Sequence, residues 1–262
     1  MQLVDIGANL AHESFAADLP AVLERARDAG VAQIVVTGSC ADSNHRALML
    51  AREHRGQLYA SAGLHPHHAS QWGPALEAQL REHAQQAEVV SLGECGLDYF
   101  RDLSPREAQR HAFAAQLAIA AECGKPLFLH QRDAHADFHA MLREHRPQLG
   151  AVVVHCFTDT QQALQDYLAL DCHIGITGWI CDERRGAHLI DAVTRIPDQR
   201  LMVETDAPYL LPRTAPKAAH RRNEPCNLPW VIRALAAARG CSEQQVAAAT
   251  TATARTFFGL PA

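Results

Sequence analysis

VVSLGECGLD (residues 89–98) is an apolar run that ends in chemistry: Val89–Leu92 reads as a strand, followed by a glycine, the carboxylate of Glu94 and a second glycine. An apolar run without strict alternation suits a parallel strand covered on both faces. Outward along the chain the same arrangement recurs. Leu58–Ala62 precedes GLHPH with His65 and His67, Pro126–Leu129 precedes His130, Ala151–Val154 precedes His155, and Leu201–Glu204 precedes Asp206. Gln2–Ile6, Gln33–Thr37 and His173–Ile176 complete a set of eight runs. Between them lie Ala-, Leu-, Glu- and Arg-rich segments with apolar residues at helical spacing, such as Ala17–Ala29, Pro105–Glu122 and Ala134–Glu144. Eight strand–helix units in 262 residues predict an α/β fold, a TIM (β/α)8 barrel, over residues 1–262 as one domain. An open doubly wound sheet is the alternative on pattern alone.

Composition narrows the function. The formal net charge is -5, so the chain as a whole lacks the broad basic surface of a protein that coats duplex. Of the 16 histidines, those in charged segments, such as His45, His54 and His83, are expected to be exposed. The eight cysteines are scattered without a CxxC pair, and Cys40, Cys156 and Cys172 sit in apolar runs. Buried, reduced thiols and a cytoplasmic location are the expectation. The chain opens directly into a strand-like run with no basic leader and no long apolar stretch, so neither a signal peptide nor a membrane span is expected.

Active sites of β/α barrels collect at the C-terminal ends of the strands. Glu94, His130, His155 and Asp206 would therefore project into one bowl. Two carboxylates roughly 5 Å apart repel by about 3 kcal/mol at an effective dielectric near 20, a cost that a divalent cation reverses. Mixed imidazole and carboxylate donors suit Zn, Mn, Fe or Mg. Each residue taken alone has a plainer reading: a hydrogen-bonded core histidine, a buried ion-pair partner at Glu94, or a helix cap at Asp206 in Thr-Asp-Ala-Pro. It is their recurrence at one level of the barrel that points to a metal. His65 is a further site candidate, and His67 is either a site residue or part of a His-Pro-His turn.

At these residues the chain resembles a known family. GLHPH, GECGLD, KPLFLHQRDA, VVVHCFTDT, GITGWICDERRG, VETDAPYLLP and the later run Arg221-Arg222-Asn223-Glu224-Pro225 look like the TatD family of metal-dependent deoxyribonucleases, in the family's order and over nearly the whole chain. The resemblance implies an amidohydrolase-like barrel that hydrolyses DNA. It implies a Mg2+-dependent 3′–5′ exonuclease on single strands, with a role in DNA repair or nucleic-acid turnover. By that likeness Glu94, His130 and His155 are metal ligands, and Asp206 binds metal or takes the proton of the attacking water. The chain departs from the broader family after the first strand. Where most members carry Asp-x-His-x-His, it reads Asp5-Ile6-Gly7-Ala8-Asn9. Glycine offers no side-chain ligand and an amide is a weak one, which puts a tight two-metal site in doubt.

The expected reaction is phosphodiester hydrolysis by metal-activated water, with Mg2+ as cofactor and Mn2+ or Zn2+ as alternatives. Asp206 serves as general base and His65 donates to a phosphate oxygen. The proline-rich segment after Asp206 carries Arg213, Lys217, His220, Arg221 and Arg222, and Arg184 and Arg185 follow the seventh strand. This basic rim fits a few phosphates of single-stranded DNA, with RNA as a second candidate. Tyr99, Phe100, Phe157, Trp179 and Tyr209 are candidates either to stack bases or to seal the barrel top. Arg222 and Glu224 are alternatively a mutual pair that fixes the loop. The family expectation is a monomer with no membrane partner. The rival functions are an amidohydrolase or deacylase acting on a small molecule or an aminoacyl-tRNA ester, and a non-catalytic nucleic-acid-binding barrel.

Overall fold

The structure, a computed structural model, describes residues 2–216 and 221–262. Its strands are β1 (Leu3–Ala8), β2 (Val31–Val36), β3 (Leu58–Ala62), β4 (Val89–Asp98), β5 (Leu127–Arg132), β6 (Val152–Val154), β7 (His173–Ile176) and β8 (Leu201–Val203). All neighbouring pairs are parallel and run in sequence order from β1 to β8. Backbone bonds then join the last strand to the first. The Asp206 N–H donates to Gly7 O at 2.8 Å and the Asn9 N–H to Ala207 O at 2.6 Å. The buried Asp5 carboxylate adds to the seam, accepting from the Thr205 N–H at 2.9 Å and hydroxyl at 2.5 Å. The eight strands thus form a nearly closed barrel, and the open-sheet alternative is excluded.

Burial explains the apolar runs. Every residue of β1 and of β4 is buried, because one face meets the barrel interior and the other the helices. Inside, Val4, Ile6, Val35, Val90, Phe128, Val153 and Met202 form a cluster with Phe257, Phe258 and Leu260 from the last helix, Glu243–Phe258, and the stretch after it. Outside, the helices Arg106–Cys123 and His135–His145 meet through Phe113 stacked on Phe138, their centroids 5.3 Å apart.

Two strands outrun the sequence expectation. β4 continues six residues past Leu92, through Asp98, and β5 continues through Arg132. Glu94 and His130 therefore lie on strands, where the sequence placed them just after. The cause is a register shift between Leu92 and Cys95, made possible by Gly93 and Gly96. Both adopt positive φ, and a Cβ at either would lie 2.0 Å from Phe128 O or 1.8 Å from His130 O. Only glycine lets the two backbones approach so closely.

His83 is a second correction: it is buried, because it falls on the inner face of Pro74–Ala84 with Leu76 and Leu80. Cys172 is buried as expected, whereas Cys40 and Cys156 are half-buried; all eight cysteines are unpaired. No helix among the described residues is long and apolar enough to cross a membrane.

Candidate active site at the barrel mouth

Glu94 is the hub. Three imidazoles converge on its Oε1: His155 Nε2 at 2.8 Å, His130 Nδ1 at 2.9 Å and His65 Nε2 at 3.2 Å. They arrive from β5 and from the segments that follow β3 and β6, so the barrel alone brings them together. Burial opposes ionisation of Glu94, but His65 and His155 outweigh it and hold the carboxyl well below its usual range. His155 is held in turn from its other side, with Nδ1 3.2 Å from Glu204 Oε2. Burial works against its protonation, and Glu204 and Glu94 together reverse that, raising it well above the usual imidazole range. His65 goes the other way: burial lowers it to about 4 despite Glu94.

Asp98, at the end of β4, holds the ring of His67 and lies beside one of these three imidazoles, His130. Its Oδ2 lies 2.7 Å from His67 Nε2 and 3.4 Å from His130 Nε2. Its Oδ1 accepts from the N–H groups of Phe100 and Arg101. Burial opposes its charge, yet His130 and His67 hold its carboxyl below the usual range. Asp206 follows β8 with φ 53° and accepts from the Asn9 amide at Oδ1, 3.0 Å away. Burial pushes it up to about 8, against the pull of His155 and with the added repulsion of Glu94 and Glu204.

The donor set fits a divalent cation. The ligating atoms of His65, Glu94 and His130 lie within 4.8 Å of one another. Three ring nitrogens crowd one carboxylate oxygen, and buried His130 Nε2 meets only the Asp98 carboxylate, at 3.4 Å, without completing a hydrogen bond. Glu94, Asp98, Glu204 and Asp206 put four carboxyl groups in or beside one bowl. A cation there would offset the burial that raises Asp206 and the repulsion from Glu94 and Glu204 that adds to it.

One cavity of about 400 Å³ gathers Glu94, His130, His155, Asp206, His65, His67 and Tyr209, together with Asn9, Asp98, Arg101, Arg132 and Trp179. The carboxylates of Glu94 and Asp206 thus open onto the same space. No helix follows Asp206, whose backbone O instead accepts from the Tyr209 N–H, so the helix-cap reading fails. The basic rim is only partly assembled. Arg222 does not line the cavity: it lies over Phe15 and pairs with Asp18 and Glu224, each at 2.7 Å. Its charge is spent on fixing the loop, the alternative that its neighbour Glu224 suggested. Arg185 pairs with Asp182 at 2.8 Å and Arg213 with Glu183 at 3.0 Å, while Arg184 and Arg221 are exposed away from the cavity lining. Lys217 and His220 lie outside the described residues. Of the aromatics, Phe157 is buried against Tyr167 and seals the core, whereas Phe100 and Tyr209 are about half exposed at the rim.

Sequence reading missed Glu204, Asp98, Arg101 and Arg132. Glu204 reads as the last residue of a strand and Asp98 as the end of the GECGLD run, yet both are acids inside otherwise apolar runs. A buried carboxylate needs a partner, and that was the available signal. Gly7 and Asn9 now have a physical account. A Cβ at Gly7 would meet Glu204 Oε2 at 2.5 Å and Phe128 Cζ at 2.8 Å, so a histidine there has no room. Asn9 spends its amide on Asp206.

Comparison with known proteins agrees with this geometry. A relative from Pantoea vagans, named as a 3′-5′ ssDNA/RNA exonuclease TatD, is 48% identical over 98% of this chain and 100% of its own. One from Pectobacterium atrosepticum with the same name is 50% identical over the same shares. The crystal structure of a TatD homologue from Escherichia coli K12 superposes with TM-score 0.90 at 30% identity, covering 99% of this chain and 98% of that one. The profile of the family described as TatD related DNase matches residues 4–259, and the chain therefore belongs to that family of metal-dependent hydrolase barrels.

Proposed function

We propose that this chain is a Mg2+-dependent nuclease that removes nucleotides from the 3′ end of single-stranded DNA, and of RNA, as a monomer in the cytoplasm. DNA repair or nucleic-acid turnover is the role this activity serves, and residues 1–262 act as one catalytic unit. The observation that carries the reading is the convergence of His65, His130 and His155 on Glu94 Oε1 beside Asp206. The names of the full-length relatives support the substrate and polarity.

Glu94 and His130 would hold the cation together with His155, which shares Glu94 Oε1, or with His65, which completes the cluster of close donor atoms, and Asp206 would stand at its edge. A bound Mg2+, Mn2+ or Zn2+ supplies Lewis acidity, which lowers the pKa of water and neutralises phosphoryl charge. Asp206 accepts the proton of the attacking water. Asn9 fixes its Oδ1, leaving Oδ2 without a hydrogen-bond partner among the described residues, and with a cation bound its carboxyl would fall toward the ionised form a base requires. His65 accepts from the His67 N–H at Nδ1 and turns Nε2 to Glu94 Oε1, and Asp98 holds the ring of His67 through Nε2, leaving Nδ1 for a phosphate oxygen. Tyr209 stands half-exposed at the mouth, where a terminal base can stack.

The test is digestion of single strands labelled at the 5′ or the 3′ end, with Mg2+ or with chelator. Early release of a 3′ label, abolished by chelator, supports the reading. Intact strands with Mg2+, Mn2+ and Zn2+ alike would refute it, and early loss of the 5′ label would refute the polarity.

A further inference from the structure

We infer that Phe100, Arg132, Trp179 and Arg185 form a rail that holds the body of a single-stranded nucleic acid on one side of the active site. This rests on the nuclease reading for its biological sense, but it concerns binding, which can be measured without cleavage.

The four side chains alternate in kind. The Arg132 guanidinium lies 4.3 Å from the Phe100 ring centroid and 5.7 Å from that of Trp179, and the Arg185 guanidinium lies 4.4 Å from Trp179. Arg101 adds a fifth group, its guanidinium 5.8 Å from the Phe100 ring centroid. The series spans the ends of β4, β5 and β7, so three separate strands build it. Arg132 and Trp179 line the active-site cavity and also a smaller one of about 150 Å³, which Arg185 and His188 share. Arg132 and Trp179 are thus the shared wall between the active-site cavity and the smaller one, with Phe100 exposed beside them.

Two features distinguish this from ordinary surface decoration. Arg132 is half-buried and has no carboxylate partner among the described residues, unlike Arg185 and Arg222. A cation kept unpaired between two ring faces, at the edge of an acidic bowl, suits a phosphate. Phe100 is 54% exposed beside the site, where it packs on no core and offers a ring face to a base. Together they match the two recurring parts of a nucleotide, base and phosphate. The arm is short. Asp133 and Asp159 also line the smaller cavity, and Asp182 already holds Arg185 at 2.8 Å, so the rail offers about two phosphate contacts, at Arg132 and Arg101, each adding about 0.7 to the salt slope of a single strand.

Binding of fluorescein-labelled dT15 to the full-length protein, followed by anisotropy in chelator from 50 to 200 mM KCl (roughly the range in which phosphate contacts are read), tests the rail. Phe100→Ala should weaken binding about tenfold, the scale of one lost base stack. Arg132→Gln should weaken it and lower the log–log salt slope by about 0.7, whereas Arg132→Lys should keep the slope and lose affinity. An abasic strand of the same length should bind the wild type less well and be indifferent to Phe100→Ala. The proposal is overturned if Phe100→Ala and Arg132→Gln both bind dT15 within about twofold of wild type. It is equally overturned if the abasic strand is as sensitive to Phe100→Ala as dT15. Phe100 is exposed enough that its truncation leaves the fold intact, so the test survives an unstable Arg132 variant. Wild type that binds dT15 through these residues but cleaves no strand with any metal would refute the nuclease reading and keep the rail.

Discussion

Gly7→Ala isolates the contact on which the site's geometry turns. The added Cβ would stand 2.5 Å from Glu204 Oε2 and 2.8 Å from Phe128 Cζ. Something must move, and Phe128 is packed among the interior residues of the barrel. Overpacking of this kind costs about 1–3 kcal/mol, against a gain of about 0.4–1 kcal/mol from a stiffer unfolded chain. The net is a loss of about 1–2 kcal/mol, which for a domain of this size lowers the Tm by roughly 2–8 °C. The movable atom is Glu204 Oε2, and Glu204 holds His155 Nδ1 at 3.2 Å and the Cys156 N–H at 2.6 Å. Displacing it turns His155 away from Glu94. Loss of such an orienting contact typically weakens metal binding by about 10- to 100-fold. Thermal denaturation in chelator reads the first effect and calorimetric titration with Mn2+ reads the second. A Gly7→Ala protein that melts within about 1 °C of wild type and binds Mn2+ with unchanged affinity would refute the account of why this position is glycine.

Glu94→Gln should cut metal-dependent cleavage by about a thousandfold, the scale of several kcal/mol of lost charge stabilisation, with the fold checked by circular dichroism; retained cleavage removes Glu94 from the site. Arg222→Ala should lower stability by about 1–3 kcal/mol, because it leaves Asp18 and the buried Glu224 with fewer partners, while the KM for single strands shifts less than about twofold; a large KM effect would return Arg222 to the substrate path. Contact with about three phosphates, the scissile one and two on the rail, predicts a log–log salt slope near -2 for wild-type binding to dT15, and a slope near zero would count against a nucleic-acid substrate. At the other end of the barrel, burial and the neighbouring Arg200 lower His173 to about 4. The unfolded chain then binds the extra proton first, so this contribution to stability is intact above about pH 6.5 and is lost as pH falls towards 4, at most about 3 kcal/mol. Denaturant unfolding from pH 7 to 4 should show a shallower acid loss in His173→Gln than in wild type.

Much of this was legible in the chain because it depends on local patterns. The apolar runs are continuous since the strands are covered on both faces, and eight of them between helical segments leave little choice of architecture. Glu94, His130, His155 and Asp206 were found by one rule, that polar residues ending an apolar strand face the barrel mouth. The same rule failed where the backbone departs from regularity. Gly93 and Gly96 carry β4 past its expected end, so Asp98 closed the GECGLD run without a role and its contacts with His67 and His130 went unseen. Glu204 was hidden because its role is defined by Gly7, 197 positions away, through space that no sequence pattern displays. The arginines failed for a different reason. Clustering along the chain predicted a basic rim, yet charge is available only where no carboxylate lies opposite. Arg222 meets Asp18 from a distant helix, while Arg132, in no cluster at all, meets two aromatic rings.

The departure at Gly7 and Asn9 then reads as a trade between ligands and supports. Two histidines at these positions would add imidazoles to the bowl, but the first would collide with Glu204, which braces His155. In their place the chain keeps a buried brace beneath one ligand and an amide on Asp206. On the proposed ligand set, metal affinity would rest on how rigidly Glu94, His130 and His155 are held. A restored Gly7→His/Asn9→His pair, on this argument, costs the bracing of His155 before it can add a second ion. Mn2+ titration of that double variant should show weaker binding with no new site, and a second stoichiometric ion at undiminished affinity would refute it.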